Sequence, residues 1–538
     1  MKVHPLQLLC LVPSFCHAAA FPPTKHALKP RDGSVVWSIC PDFNQTATQS
    51  IECASLTVPL DYFDPTNNAT LDLEIRRVPA TKTPKLGSIL VNYGGPGIDG
   101  RDTLPALGDW QQALAGGVYD IVLVVPRGTG NTLPYSCLTP AQRLAAFSRS
   151  PVTSNASDTA FGRIWASAQL DADACLATQN KTGTLVGTVS TANDFIRVAE
   201  ALDKDGLLRF WGQSYGTYLG TTLAKLFPDR VERMVLDGVV DPVSYTFGSD
   251  AAQYLDADFV FREFCSACAA NPSTCPLALG PNNSTLTGPE IEVNLYAFFD
   301  SVKEFPIPLI TSAVGPLLLD IGLLKSSIYF FLYSPSEWPA YSTILAALIA
   351  GNTVPATALV SALSTSTLAL AESVQGIRCS DKTFRATSSP TSVEPGLAER
   401  QNISYFGDND QNYVTCARWP FVAKGRYEDE ESSAFRTRTR TRGGVLLVGN
   451  RGDPATALRS AKGVRGLFGG SRVLEQKGFG HTAFAQGSRC TAGVWRSYFV
   501  NGTLPKKGAQ CEVDVGIWEG KTGWEEIVAE FRKENGGG

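Results

Sequence analysis

A serine, a histidine and an aspartate have the side-chain types and the chain order that nucleophilic catalysis requires. Ser214 is the central residue of the segment 212–216, which reads Gly-Gln-Ser-Tyr-Gly and matches the pattern G-x-S-x-G. A serine hydroxyl is a weak nucleophile until a base removes its proton, and histidine performs that step best near neutral pH. The pattern makes Ser214 the candidate nucleophile of a hydrolytic acyl transfer.

The candidate base follows from the small number of histidines in the chain. There are four, at His4, His17, His26 and His481. The first two fall in a predicted leader segment and the third lies close behind it, whereas His481 follows the strand-like run 471–475. We therefore predict that His481 accepts the proton of Ser214.

The candidate acid is Asp453, which follows the strand-like run 444–448 and precedes the histidine. Hydrolases with this serine pattern place their residues in the order serine, acid, histidine. The acid orients the imidazole and stabilises its charged form. Asp237 and Asp241, which follow the strand after the serine, remain the alternatives.

A glycine-rich turn is the candidate oxyanion hole. The segment 92–97 reads Asn-Tyr-Gly-Gly-Pro-Gly and follows an early strand-like run. Backbone N–H groups of Gly95 and of Tyr215, the residue after the nucleophile, are predicted to bind the oxygen on which negative charge develops. Loss of one such donor typically slows a hydrolase by about 10²–10³. No cofactor and no metal is predicted for this chemistry.

The elements that must position these residues are predicted from short apolar runs that alternate with helical patterns. Continuous apolar strands separated by helices indicate a mostly parallel sheet with helices on both faces. A serine between a strand and a helix is the nucleophile elbow of the α/β-hydrolase fold. The predicted strands are 87–93, 119–125, 207–211, 231–236, 444–448 and 471–475, and two predicted helices are 192–202 and 217–227.

The alternation stops between residues 243 and 442, which are rich in Ala, Leu and Ser. We predict that 21–242 and 443–538 form the hydrolase core and that 243–442 is a mostly helical insertion covering the site as a cap. Within it, the apolar stretch 315–333 is interrupted by Asp320 and Lys325 and is predicted to be a buried helix, not a membrane span. Apolar positions with helical spacing are Tyr341, Ile344, Leu345, Leu348 and Ile349.

The first twenty residues predict a cleaved signal peptide, because a basic start is followed by a short apolar run and by Ala18-Ala19-Ala20. A secreted protein is therefore expected. Export agrees with eight Asn-x-Ser/Thr acceptor sequences for glycosylation. These lie at Asn44, Asn68, Asn155, Asn180, Asn282, Asn283, Asn402 and Asn501.

Cysteine usage also fits an oxidising compartment, where cysteines mostly pair. Of thirteen cysteines, Cys10 and Cys16 fall in the signal peptide. A cluster of three is expected to hold one disulfide and one free thiol; a zinc site there is disfavoured because no histidine is near. The cluster is Cys265, Cys268 and Cys275, and the other suggested pairs are Cys40–Cys53, Cys137–Cys175, Cys379–Cys416 and Cys490–Cys511.

The charge balance excludes some partners. The 538 residues carry a formal net charge of −4, so neither nucleic acid nor a membrane is predicted as a partner. Arginines alternate with threonines at 436, 438, 440 and 442, and an exposed linker is favoured over a polyanion-binding patch. The expected partner is a peptide or a small-molecule ester as substrate.

Several motifs together resemble the prolyl and tripeptidyl aminopeptidase family of α/β-hydrolase serine peptidases. The resemblance implies that Ser214 is the nucleophile, Asp453 the acid and His481 the base, without a cofactor. It also implies an exopeptidase that releases a tripeptide, a dipeptide or proline from the N-terminus of peptides through an acyl-enzyme. The motifs are 94–97, 212–217, 236–242, 453–456, 480–481 and the C-terminal segment 490–511, which resembles the tripeptidyl-aminopeptidase-like region of that family.

Two other functions remain open beside the exopeptidase. A carboxylesterase or lactonase could use the same residues on a small molecule, for example in secondary metabolism. A binding protein without activity is disfavoured because serine, acid, histidine and glycine turn are all intact. An exopeptidase needs a carboxylate for the substrate ammonium, and Glu263 and Asp241 are the candidates.

Overall fold

The computed structural model describes residues 35–43, 50–149, 153–312, 314–386, 389–409, 411–430 and 434–536. The predicted signal peptide at 1–20 and the predicted glycosylation site at Asn44 lie outside the described residues. The described residues belong to one compact unit, which begins at Ser34.

Fourteen strands lie in the described ranges, and ten of them form one sheet in the order β1-β2-β3-β5-β4-β6-β7-β11-β13-β14. The seven strands β5, β4, β6, β7, β11, β13 and β14 are parallel to one another. Strands β3, β2 and β1 extend the sheet beyond β5 with antiparallel pairing. The strands are β1 (Ser38–Ile39), β2 (Glu52–Pro59), β3 (Thr70–Val78), β4 (Gly87–Asn92), β5 (Tyr119–Val124), β6 (Leu208–Gln213), β7 (Val231–Asp237), β8 (Ile307–Thr311), β9 (Gly315–Leu319), β10 (Thr439–Arg440), β11 (Val445–Gly452), β12 (Phe468–Gly469), β13 (Arg472–Phe479) and β14 (Gln510–Cys511).

Helices occupy most of the remaining described chain. The α-helices are α1 (Asp109–Leu114), α2 (Pro140–Arg149), α3 (Ala160–Gln179), α4 (Thr188–Leu202), α5 (Tyr215–Leu226), α6 (Pro242–Thr246), α7 (Ala257–Ala270), α8 (Gly288–Glu304), α9 (Ile321–Phe331), α10 (Trp338–Ile349), α11 (Val354–Asp381), α12 (Glu394–Ile403), α13 (Gln411–Arg418), α14 (Leu458–Gly466), α15 (Arg489–Asn501) and α16 (Trp524–Glu534). A π-helical turn, Leu104–Gly108, precedes α1. Short 3-10 turns are Pro228–Arg230, Ala251–Tyr254, Pro276–Ala278, Pro281–Asn283, Pro335–Glu337, Pro390–Val393, Tyr405–Asp408, Ala434–Arg436 and Ala483–Ala485.

The central strands are apolar because both faces of the sheet are covered. Every residue of β4, β5 and β6 is buried. Val91 and Trp211 pack into one core with residues of α1, α15 and α16, whereas Leu90 and Phe210 pack on the opposite face with residues of α4 and α5. Because side chains alternate along a strand, a strand buried on both faces is apolar at successive positions, as in the runs 89–91 and 121–124.

Between β7 and β11 the chain leaves the sheet and forms helices α6 to α13 with one hairpin, β8–β9. The prediction of one buried helix over 315–333 is wrong in its first part. Residues Gly315–Leu319 form β9, and the Asp320 side chain accepts a hydrogen bond from Leu323 N at the start of α9. An N-capping aspartate begins a helix and does not continue one, so Asp320 marks the boundary.

Part of the helical layer next to the insertion comes from residues that precede Ser214 in the sequence. In one apolar cluster, Ile164 and Ala168 of α3 pack against Val414 and Ala417 of α13. This layer is therefore built from two separate segments of the chain, 140–179 and the insertion, although only the second stands out in the sequence.

Five disulfides stabilise the described chain. Four join the pairs suggested by sequence proximity, and the fifth joins Cys268 to Cys275, leaving Cys265 as a buried thiol. Among the described helices none is both long and apolar enough to cross a membrane. Six predicted glycosylation sites have exposed side chains, as an acceptor requires: Asn68, Asn155, Asn180, Asn282, Asn402 and Asn501.

Candidate active site

Ser214 occupies a sharp turn between β6 and α5. Its backbone has φ +53° and ψ −125°, a conformation that non-glycine residues rarely adopt. A Cβ on Gly212 would lie 2.3 Å from Gly216 O, and one on Gly216 would lie 2.4 Å from Asn92 O. Only glycine fits at both positions. The Ser214 N–H donates to Asp237 O at 3.0 Å, which ties the turn to the neighbouring strand.

Asp453 is completely buried just beyond the end of β11. Its carboxylate accepts hydrogen bonds from the N–H groups of Ala455, Thr456 and Thr482, and from the Thr456 hydroxyl at 2.7 Å. Burial by itself raises the pKa of Asp453, but the charge of His481 and these hydrogen bonds outweigh burial and hold the pKa below its ordinary value. The carboxylate therefore stays ionised.

His481 is oriented by that carboxylate. Its Nδ1 lies 3.0 Å from Asp453 Oδ1 and 3.2 Å from the Thr456 hydroxyl. The His481 N–H donates to Tyr333 O at 2.8 Å, and the rings of Tyr333 and His481 lie 4.7 Å apart. With Nδ1 engaged by Asp453, Nε2 is the nitrogen that can take a proton.

Ser214 and His481 both lie next to the residues that end β7, Asp237 and Gly238. The carbonyl of Asp237 binds the Ser214 N–H, and a Cβ on the next residue, Gly238, would lie 3.5 Å from His481 Cε1. In the described part of the chain no direct hydrogen bond joins the Ser214 hydroxyl to the imidazole. Such contacts are often loose without substrate and tighten when it binds.

The two alternative acids have other partners. The Asp237 carboxylate accepts the Ala483 N–H at 2.9 Å, so it holds the loop that follows His481 instead of the imidazole. Burial, with a contribution from the charge of Asp453, raises the pKa of Asp237 to about 7. Asp241 caps helix α6 through the N–H groups of Val243 and Ser244. Of the three candidates, the structure places Asp453 against the imidazole.

The glycine turn lies directly over the nucleophile. A Cβ on Gly94 would come within 2.8 Å of Ser214 Cβ, so glycine is required for this approach. The Gly94 N–H donates to Asn92 Oδ1 at 3.1 Å, and Gly95 remains the predicted donor of this turn. The Tyr215 N–H belongs to the first turn of α5, where N–H groups have no intrahelical partner.

A small cavity of about 70 Å³ connects these groups to the insertion. Ser214, Gly95 and Tyr215 form part of its wall, and Asp241 also lines it, whereas Glu263 does not. Sequence reasoning missed Thr456 as a partner of the acid, although it lies in the quoted segment 453–456. It also missed the wall residues contributed by the insertion, which no motif marks; Asp250, Tyr333 and Arg378 are among them.

Comparison with known families divides the chain into two matching regions. Residues 87–266 match the family model described as alpha/beta hydrolase fold, and residues 404–511 match that of the TAP-like proteins. The first region contains Ser214 and the second contains Asp453 and His481. Together with the sheet topology, this confirms the prediction of an α/β-hydrolase fold.

Curated relatives match most of the chain. Serine protease Hip1 of Mycobacterium tuberculosis is 28% identical over 485 residues, which cover 85% of this chain and 87% of the relative. Tripeptidyl aminopeptidase of Streptomyces lividans is 26% identical over 495 residues, covering 88% and 86%. Carboxylesterase B of Mycobacterium tuberculosis is 28% identical over 507 residues, covering 88% and 89%.

Proposed function

We propose that this α/β hydrolase, whose C-terminal region is TAP-like, is a serine exopeptidase that removes short units from the free N-terminus of peptides. Two observations carry the proposal: Ser214, Gly95 and Thr456 line one small cavity, and Thr456 contacts the hydrogen-bonded Asp453–His481 pair. The similarity to a tripeptidyl aminopeptidase along 88% of the chain supports a peptide as substrate.

The first half of the reaction forms an acyl-enzyme. Ser214 Oγ attacks the carbonyl carbon of the scissile bond while its proton passes to His481 Nε2. The carbonyl oxygen becomes an alkoxide, which the N–H groups of Gly95 and Tyr215 stabilise. The intermediate then collapses: the C–N bond breaks, and His481 gives the proton to the leaving amine.

The second half returns the enzyme to its starting state. Water loses a proton to His481 and attacks the acyl carbon, and the Ser214 oxygen leaves with that proton as the short N-terminal unit is released. In both halves Asp453 keeps the imidazole in the tautomer with Nδ1 protonated and stabilises the imidazolium. Its ionised, fully hydrogen-bonded carboxylate suits this role.

Recognition of the free N-terminus requires a carboxylate in the cavity. Asp241 lines it, and one oxygen, Oδ1, accepts both backbone hydrogen bonds of the helix cap. The other oxygen is the one that can accept from a substrate ammonium. Of the two residues considered from the sequence, Asp241 is therefore the better placed, because Glu263 does not line this cavity.

A comparison of blocked and free substrates tests the exopeptidase. Tripeptide anilides with a free amine are expected to be cleaved at least tenfold faster, in kcat/KM, than their N-acetyl forms, because blocking removes a charge-assisted contact. Ser214→Ala measures the background, and Asp241→Asn is expected to reduce the preference. Equal turnover of the blocked peptides would contradict the proposal.

The second candidate is a carboxylesterase, because one relative of equal coverage bears that name. Simple aryl esters, assayed with the same enzyme preparations, separate the two. Ester hydrolysis without cleavage of any anilide would favour the esterase.

We also propose that the protein is exported and glycosylated. The five disulfides and the exposed side chains of six acceptor asparagines support this. Mass spectrometry of the protein from its natural host is expected to show an N-terminus near Phe21 and glycosylated peptides. A retained leader, or unmodified asparagines throughout, would contradict it.

A further inference from the structure

A guanidinium group lines the same cavity as the nucleophile. Arg378 lies near the end of α11, and its side chain is only 14% exposed. It shares the cavity wall with Ser214, Gln253 and Tyr245. A buried guanidinium loses most of its hydration and needs compensating partners.

The partners that Arg378 has are weak. Its Nη1 lies 3.4 Å from Asp250 Oδ2 and 3.5 Å from Gln253 Oε1, and its Nε has no hydrogen-bond partner among the described residues. By contrast, Arg127 in the core of the same protein binds Asp194 through two bonds of 2.7 Å. Short bidentate contacts are what a buried arginine ordinarily makes with a carboxylate. The Arg378 guanidinium thus has unused donor capacity.

The charge of Asp250 is also shared. Buried Lys382 lies 3.1 Å from the same Oδ2 and donates to the carbonyls of Tyr245 and Gly248. Two cations therefore face a single carboxylate. The other acid of the wall, Asp241, uses its Oδ1 to cap α6, and Asp453 is paired with His481. Because Arg378 shares Asp250 with Lys382, its charge is only partly compensated by that carboxylate.

The exopeptidase reaction determines which part of the substrate lies near the Arg378 guanidinium. The peptide that leaves has no fixed length and must extend into solvent. The unit transferred to Ser214 is short and has to bind in the cavity that Ser214 and Arg378 both line. Arg378 therefore faces the acyl unit.

Building on the proposed function, we propose that Arg378 binds a carboxylate of the acyl unit, so that the enzyme prefers N-terminal units with an acidic side chain. The carboxylate would pair with the guanidinium donors that Asp250 leaves free, in the planar geometry that matches arginine to carboxylate. A neutral isostere such as glutamine can offer only one acceptor oxygen and no charge.

The test compares tripeptide anilides that differ only by Glu against Gln at each of the three positions. The wild type is expected to favour Glu at one position by about tenfold or more in kcat/KM, which corresponds to a hydrogen bond with a charged group. Arg378→Gln is expected to abolish that ratio and Arg378→Lys to retain part of it. Arg262→Gln, at an exposed arginine of α7, is the matched control and should leave the ratio intact.

Two further measurements can contradict the proposal independently of the Arg378 variants. Asp250→Asn removes the competing carboxylate and is expected to raise the Glu/Gln ratio, so the proposal can be decided even if Arg378→Gln does not fold. An aryl monoester of glutaric acid, compared with its neutral methyl ester, tests acid preference without a peptide bond.

The outcomes separate this inference from the proposed function. Cleavage of anilides without preference for Glu at any position overturns the role of Arg378 and leaves the exopeptidase standing. A folded Arg378→Gln variant with an unchanged ratio also overturns it. An acid preference seen only with esters, and lost in Arg378→Gln, supports the anion site and overturns the exopeptidase.

Discussion

Ser214 holds a backbone conformation that costs a non-glycine residue about 1–3 kcal/mol. Three neighbours keep it there: the Asp237 carbonyl, which accepts its N–H, and Gly212 and Gly216, which leave room for the turn. The conformation places the hydroxyl at the cavity beside Gly95. The strained backbone of Ser214 indicates a site whose geometry the surrounding fold fixes before substrate binds.

The choice between acids gives a direct test at single residues. Asp453→Asn removes the charge that fixes the imidazole tautomer and is expected to lower kcat by about 10⁴. Asp237→Asn keeps an acceptor for the Ala483 N–H and is expected to lower kcat less than tenfold. Steady-state kinetics on one anilide measures both. The reverse order would make Asp237 the acid.

Thr456 is expected to be a positioning residue for the acid. Its hydroxyl donates to Asp453 Oδ2 at 2.7 Å, so Thr456→Val deprives a buried carboxylate of one donor, a loss of about 1.5–3 kcal/mol. The expected result is a fall in kcat of at least tenfold, with the acidic limb of the pH–rate profile displaced and KM little changed. Thr456→Ser restores the hydroxyl and should rescue activity. An unaltered pH profile in Thr456→Val would contradict this role.

The sequence alone points to the three residues proposed to react, because each carries a local signal. Ser214 lies in a pattern, Asp453 follows a strand at the required place in the chain order, and His481 is the one histidine outside the N-terminal region. Tyr333 and Arg378 lack such a signal. They reach the cavity from an insertion whose helices are placed by long-range packing, and periodicity does not encode that placement.

At the scale of elements, the elbow depends on close approach between β6, α5 and the turn after β4. Gly216→Ala places a Cβ 2.4 Å from Asn92 O, and overpacking of this kind typically costs about 1–3 kcal/mol. We expect a lower melting temperature together with lost activity, because the glycine turn must shift. Calorimetry and anilide kinetics check the two effects.

A matched glycine in another helix provides the control. Nothing lies within 4 Å of a Cβ placed on Gly493, which is inside α15. Gly493→Ala is therefore expected to be neutral or to stabilise by up to about 1 kcal/mol. Equal destabilisation by both substitutions would show that the elbow glycine has no special steric role.

The central strands were predictable and the peripheral ones were not, for a physical reason. Strands β4, β5 and β6 are buried along their whole length, and each contains an uninterrupted apolar run: 89–91, 121–124 and 210–211. In strand β3 the buried residues Leu73 and Ile75 alternate with Asp72, Glu74 and the buried, ion-paired Arg76, so its pattern lacks that signal. In the insertion, the sequence of β9 is as apolar as that of the helix α9 that follows it. Only the N-capping residue Asp320 marks the boundary between the two elements.

At the scale of the whole molecule, two buried carboxyl groups link stability to pH. Burial raises the pKa of Asp237 to about 7 and that of Asp381 to about 6. In the unfolded chain both groups ionise near pH 4. Their contribution to stability is thus fully present below about pH 4 and is lost as the pH rises through 6 to 7. Asp453, with a lowered pKa, acts in the opposite sense only at lower pH.

We therefore expect the free energy of unfolding to fall by about 2–4 kcal/mol between pH 5 and pH 8. Asp237→Asn, which cannot ionise, is expected to show a smaller fall across the same range. Calorimetric unfolding at both pH values measures the difference. Identical pH dependence in the two proteins would mean that Asp237 does not titrate in this window.

The contact between Tyr333 and His481 joins the insertion to the proposed catalytic base. The carbonyl that accepts the His481 N–H, and the ring that packs on the imidazole, both belong to the insertion. A chimaera that takes residues 243–442 from a relative would exchange part of the support of the base along with the substrate pocket. Replacing the insertion is thus expected to change both substrate specificity and turnover. A chimaera designed to change specificity alone has to keep the segment around Tyr333.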